Sequence, residues 1–100
     1  MSSQTIRRAF YLPRLMQLQG GLCFWPHCRR PLVVSEPCLT VPASATIEHL
    51  LPISWGGNNH PHNLAVSCYS CNNNRGDCIG GIWAVVILGN YILDSLAIFD

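Results

Sequence analysis

Lysine is absent from this sequence, and charge of either sign is scarce: 11% of residues are charged and the net charge is +1. That balance excludes a strong general basic field. The positive charge is carried by arginine alone, at Arg7, Arg8, Arg14, Arg29, Arg30 and Arg75. Arginine suits bidentate phosphate contacts better than lysine does. Counts alone leave phosphate binding and ordinary solvated side chains equally open. An apolar run is also missing from the start, where Met1 to Thr5 is polar and Arg7 and Arg8 follow. No signal peptide is therefore expected, which points to a reducing, cytoplasmic setting.

Cysteine and apolar residues are plentiful. A chain of 100 residues is expected to form one domain, 1–100, whose modest core gains from a metal or from disulfides. Six cysteines supply the means, and in a reducing setting paired cysteines favour metal over disulfides. Hydrophobic residues make up 49% of the chain, with most of the excess after Ile79.

Ile6 to Leu12 can form a helical turn or two, with Ile6, Ala9 and Phe10 on one side. Pro13 argues against a helix running through it, so the expected helix is Pro13 to Gln19, with Leu15, Met16 and Leu18 as its apolar side and Gly20-Gly21 as its end. Cys23 and Cys28, around a Pro turn, form a candidate metal knuckle in which His27 competes with Cys28 as ligand; Cys28 is favoured because it makes a uniform four-sulfur site. Phe24 and Trp25 are expected to cover that site rather than to stack on bases. Arg29 to Ala45, broken by Pro31, Pro37 and Pro42, reads as a loop with short extended pieces. Within it, Cys38 is expected to be a small buried residue.

Ala45 to Leu51 is the first strand candidate, with Ile47 pointing inward and Pro52 stopping it. Ser54 to His62 is a polar loop. Asn63 to Ser67 is a second short strand. Cys68 to Arg75 suits a helix with Ser67 as N-cap and Gly76 as stop. The fold class is therefore α+β.

Cys23, Cys28, Cys68 and Cys71 are the ligand set of a closed structural zinc site, with a disulfide pair as the alternative. Cys78 is a badly spaced spare thiol. Between the two knuckles, Glu48-His49 sets a carboxylate beside an imidazole. A carboxylate suits a hard divalent ion such as Mg2+, and an unshifted imidazole accepts a proton from water near neutral pH. Asn72 follows the last zinc cysteine, and its carbonyl is another hard ligand. Asn63 can tie the loop beneath His49. Singly these are ordinary surface, turn or cap residues, and His60 and His62 read as exposed loop residues that could also touch DNA or a metal.

The order of the whole set is more specific. Glu48-His49, Pro52, Gly56-Gly57, Asn63-Leu64, Cys68-x-x-Cys71-Asn72 and Arg75-Gly76 resemble the HNH endonucleases, whose core is the ββα-metal fold. The likeness spans about residues 13 to 77, with the motif core at about 20–77 and an apolar C-terminal extension at 79–100. It implies a small ββα-metal domain, stabilised by structural zinc and flanked by helices, that hydrolyses DNA with a catalytic divalent ion (Mg2+, Mn2+ or Ni2+). By that resemblance His49 is the general base and Asn63 supports it. Glu48 ligates or tunes the catalytic ion, Asn72 ligates it, and Arg75 contacts phosphate. Two features depart from the family pattern. The first knuckle has four residues between its cysteines rather than two, and Glu48 stands where Asp is more common. The alternative reading is a catalytically silent zinc module that binds nucleic acid or protein. The two are separated by whether His49 and Asn72 converge on one site away from the zinc.

Ile79 to Phe99 allows three readings. One is a helix or helix pair that packs on the core or on a second copy, with Val85, Leu88, Ile92, Leu96 and Phe99 near helical spacing. Another is a hairpin turning at Gly89-Asn90. The third is a membrane span, which Asn90, Asp94 and the glycines disfavour. An apolar segment of this kind hints at a homodimer.

Overall fold

A computed structural model of the protein describes residues 7–34, 41–81 and 83–89. Its elements run in the order α1 (Arg8–Leu18), β1 (Ala45–His49), β2 (Leu64–Cys68) and α2 (Tyr69–Arg75), with single 3-10 turns at Ile53–Trp55 and Pro61–Asn63. Residues 83–89 are helical. The class is α+β, as expected: a two-stranded antiparallel sheet with helices packed around it.

Helix α1 runs straight through Pro13, contrary to the expected start at that residue. Proline costs a helix the bond from its missing N–H to the carbonyl four residues back, which here belongs to Ala9. Both Ala9 and Pro13 are exposed, so water can take that carbonyl. The opposite face carries the helix: Leu12 and Leu15 are buried in one cluster with Ala45, Leu64 and Val66. Leu18, expected on the apolar side, is 82% exposed.

The strands pair Ala45 with Cys68, Ile47 with Val66 and His49 with Leu64. Each boundary lies within two residues of its expected place. β2 is buried along its whole length, so it is the centre of the sheet's packing. Its outer edge at Val66 is met by a side chain. Gln19 donates to the Val66 carbonyl at 2.7 Å and accepts from the Val66 N–H at 2.8 Å. The backbone N–H of Phe24 adds a bond to the same carbonyl at 3.0 Å. The glutamine amide thus stands in for a neighbouring strand. In α2 the N-cap is Cys68, not Ser67; its sulfur accepts from the Cys71 N–H at 3.3 Å. Gly76 ends the helix as expected.

A second buried cluster joins Cys23, Trp25, Leu50, Ala65, Cys68, Cys71 and Ile87, with Trp83 and Val86 packed against it. The helical reading of the C-terminal stretch therefore holds over 83–89, and the hairpin does not. The packed face is Trp83, Val86 and Ile87. Val85 and Leu88, expected on a face that packs on the core or on a second copy, are 72% and 62% exposed. Among the described residues no helix is long and apolar enough to cross a membrane. Cys38, Ile92, Leu96 and Phe99 lie outside the described residues.

Candidate active site and thiol cluster

Two sites lie on opposite sides of the start of α2. The first is the thiol cluster. The sulfurs of Cys23, Cys28, Cys68 and Cys71 all lie within 4.8 Å of one another. Thiolates placed tetrahedrally about 2.3 Å from a zinc ion sit roughly 3.8 Å apart, and the Cys28 and Cys68 sulfurs are 3.8 Å apart. The donor set and its spacing fit zinc. No disulfide links these cysteines. Cys28, not His27, completes the set; His27 stands outside it with Nε2 3.8 Å from the Cys71 sulfur. Cys78 is exposed and apart.

The backbone builds this cluster from three directions. The Cys23 N–H donates to the Arg30 carbonyl at 2.9 Å and closes the first loop, while the Cys68 N–H donates to the Cys23 sulfur at 3.4 Å. Burial pushes the thiols of Cys23 and Cys71 up. Burial acts the same way on Cys28, but the Arg30 N–H and the three neighbouring thiols outweigh it and bring Cys28 down to about 7. Cys28 is therefore shifted toward the thiolate, while burial favours protons on Cys23 and Cys71 that a metal would displace.

The second site is a cleft of about 220 Å³ between the end of β1 and α2. Glu48, His49 and Asn72 all line it, walled by Pro52 and Ile53, and none of the four clustered cysteines does. His49 is half-buried, and its Nε2 lies 2.6 Å from the Asn59 carbonyl oxygen. With that acceptor, Nε2 carries the proton and Nδ1 keeps the lone pair. The sequence assigns no role to Asn59, because its place in a polar loop gives no sign of one.

Asn63 acts one layer further back. It is fully buried, accepts from the Leu51 N–H at 2.8 Å, and donates to the carbonyls of Leu51 at 3.0 Å and Asn58 at 2.8 Å. It ties down the loop that delivers Asn59 to His49. Trp55 and Ser54 pin the same loop to Asp77 beyond α2, at 3.1 and 3.2 Å. Asn72 is fixed by its amide nitrogen, which donates to the Thr46 hydroxyl at 2.9 Å; Thr46 in turn donates to the Ser67 carbonyl. Among the described residues the Asn72 side-chain carbonyl oxygen has no bond, which suits a hard ligand. His60 and His62 are exposed, with ring centres 4.1 Å apart.

Two of the expected site residues are engaged inside the protein. Arg75, expected at a phosphate, is 3% exposed. Its guanidinium donates to Glu48 at 2.7 Å, to the His49 carbonyl at 3.0 Å, to the Cys78 carbonyl at 2.8 Å and to the Leu50 carbonyl. The side chain is turned into the protein rather than toward solvent. Glu48, expected to ligate or tune the ion, spends one oxygen on Arg75 and the other on the Trp25 indole N–H at 2.9 Å. Of the two expected ligands, only Asn72 presents a free donor to the cleft. Trp25 itself is fully buried, so it does not stack on bases. Its role at Glu48 is not visible in the sequence, because nothing in the spacing ties residue 25 to residue 48.

No curated protein matches this chain. Residues 40–80 match the family described as HNH endonuclease. That stretch contains the cleft, both strands, α2 and the Cys68-Cys71 pair, and leaves Cys23 and Cys28 outside. Over residues 40–80, this chain carries the domain signature of the HNH endonuclease family.

Proposed function

We propose that this protein is a metal-dependent endonuclease that hydrolyses DNA phosphodiester bonds, with His49 as general base. The observation that carries this reading is the convergence of His49 and Asn72 on one cleft that the four cysteines do not line. The two sites divide the work. Cys23, Cys28, Cys68 and Cys71 would hold zinc as a structural clip between the first loop and α2. The His49 imidazole takes a proton from water through Nδ1, while Asn59 holds Nε2 and so fixes the ring. The water attacks phosphorus in line as the bond to the 3′ oxygen breaks, that oxygen takes a proton from solvent, and the products carry a 5′ phosphate and a 3′ hydroxyl. A divalent ion bound in the cleft would supply charge stabilisation to the leaving oxygen. Asn63 keeps the loop in register beneath the imidazole.

Exposed Val85 and Leu88 support a homodimer through the C-terminal stretch, which sedimentation at several concentrations tests. Reduced, clustered thiols support a cytoplasmic setting in a bacterial or phage-infected cell.

The neutralised Glu48 and the buried Arg75 favour one competing reading, a silent zinc module that binds nucleic acid or protein. Plasmid cleavage with Mg2+, Mn2+ or Ni2+, against an EDTA control, separates the two. Cleavage that is lost in His49→Ala, with zinc content unchanged, is the expected result. Cleavage at the wild-type rate in that variant removes His49 from the mechanism, and no cleavage by the wild-type protein with any of the metals favours the silent module.

A further inference from the structure

The two departures from the family pattern touch each other. The long Cys23–Cys28 loop contains Trp25, and the acid that replaces Asp is Glu48; the indole N–H of the one donates to the carboxylate of the other at 2.9 Å. We infer that Glu48 is a positioning residue and not a ligand of the catalytic ion, and that Trp25 is its partner in that role. This inference rests on the nuclease reading.

A ligand to a hard cation must bring an available lone pair and uncompensated charge to the ion. Glu48 has no uncompensated charge to spare, and each of its oxygens already accepts a hydrogen bond. Its charge is matched by Arg75 at 2.7 Å, with both side chains almost fully buried. Swinging the carboxylate out to an ion would strand a buried guanidinium and a fully buried indole N–H without their acceptor, and both are costly. The arrangement has a different use. Glu48 orients Arg75, and Arg75 grips the carbonyls of His49 and Leu50. Those carbonyls mark the end of β1, so the grip sets the direction in which the His49 side chain leaves the strand. The Arg75 guanidinium also lies 5.2 Å from the centre of the Trp25 ring, which closes the unit on itself.

The extra length in both departures fits this purpose. A longer acid reaches inward to the arginine and the indole. A longer knuckle places the indole where the acid can meet it. The thiol cluster is thereby connected to the general base through Trp25, Glu48 and Arg75, and the cleft keeps the Asn72 carbonyl as its free protein oxygen on α2.

The test measures cleavage rate against Mn2+ concentration for the wild type, Trp25→Phe and Glu48→Gln. Phenylalanine keeps a ring in the core while removing the donor and part of the indole's volume, so the unfolding temperature of Trp25→Phe is measured alongside its rate. Partners that act through another residue typically cost about 10–100-fold in activity when removed. The expected result is a maximal rate lowered about tenfold in Trp25→Phe, with the Mn2+ midpoint, the KM for DNA and zinc content unchanged. Glu48→Gln is expected to keep the Mn2+ midpoint within about threefold of wild type while losing rate. A midpoint raised tenfold or more in Glu48→Gln makes Glu48 an ion ligand and overturns the inference, as does a wild-type rate in Trp25→Phe. A wild-type protein inert with every metal overturns the nuclease reading itself and the inference with it.

Discussion

A Cβ added to Gly57 would lie 1.8 Å from the carbonyl oxygen of Leu51 and 3.0 Å from the Asn63 amide nitrogen. The close approach is what lets Asn63 bond Leu51 and Asn58 at once. Gly57→Ala is therefore expected to destabilise the fold by at least about 2 kcal/mol, since a backbone clash cannot relax by moving a flexible side chain. Thermal unfolding checks it. Gly56, whose would-be Cβ meets open space but whose φ is +92°, is the milder control, with a cost of about 1 kcal/mol for alanine.

Asn63→Ala removes three hydrogen bonds and leaves buried backbone groups of the loop without partners. A loss of about 2–4 kcal/mol is expected, with cleavage falling because Asn59 no longer meets His49. Asn63→Asp is expected to be no better. The oxygen that replaces Nδ2 would face the Leu51 and Asn58 carbonyls that now accept from it. Denaturant unfolding of both variants measures this, and a stable Asp variant would contradict the arrangement.

Pro13→Ala should stabilise the protein. An interior proline costs a helix up to about 3 kcal/mol relative to alanine, and Pro13 sits on the exposed face of α1 with no packing to lose. A gain of about 1–2 kcal/mol is expected in chemical denaturation. No gain would mean that the helix begins at Pro13 after all.

Removing zinc should loosen the fold, because the cluster joins segments 40 residues apart in the case of Cys28 and Cys68. Chelation is expected to lower the unfolding midpoint sharply and expose Trp25 to solvent, readable as a red shift of fluorescence. Cys68→Ser should do the same, while its hydroxyl keeps the cap of α2. The pH dependence follows from the thiols. Burial raises those of Cys23 and Cys71, so zinc binding must displace their protons, and affinity falls as pH falls. Zinc retention measured across a pH series checks the sign.

Much of this is legible in the sequence because its local signals agree with the fold. The Cys68-x-x-Cys71-Asn72 run fixes a helix start, two ligands and a cleft residue in one stroke. Pro52 and the Gly-Gly pair bound the loop. The failures share a cause: each depends on a contact between residues far apart in sequence. Leu12 and Leu15 meeting β2 outweigh the helix-breaking tendency of Pro13. Arg75 sits at a position that reads as a phosphate contact, yet it turns inward because Glu48 and two carbonyls await it 25 to 27 residues away. Asn59 looks like any loop asparagine until the loop folds back on His49. The apolar face of 83–89 escapes periodicity because that whole stretch is rich in apolar residues, which leaves the pattern little contrast.

The glutamine at the outer edge of β2 has a consequence for association. Strand addition by another chain needs the edge N–H and C=O of residues such as Val66 to be open. Gln19 occupies both, and Phe24 shares the carbonyl. That edge is closed to a second molecule's strand without any charge or proline to guard it, so self-association of this protein must proceed through side-chain surfaces or the β1 edge rather than by extending the sheet past β2.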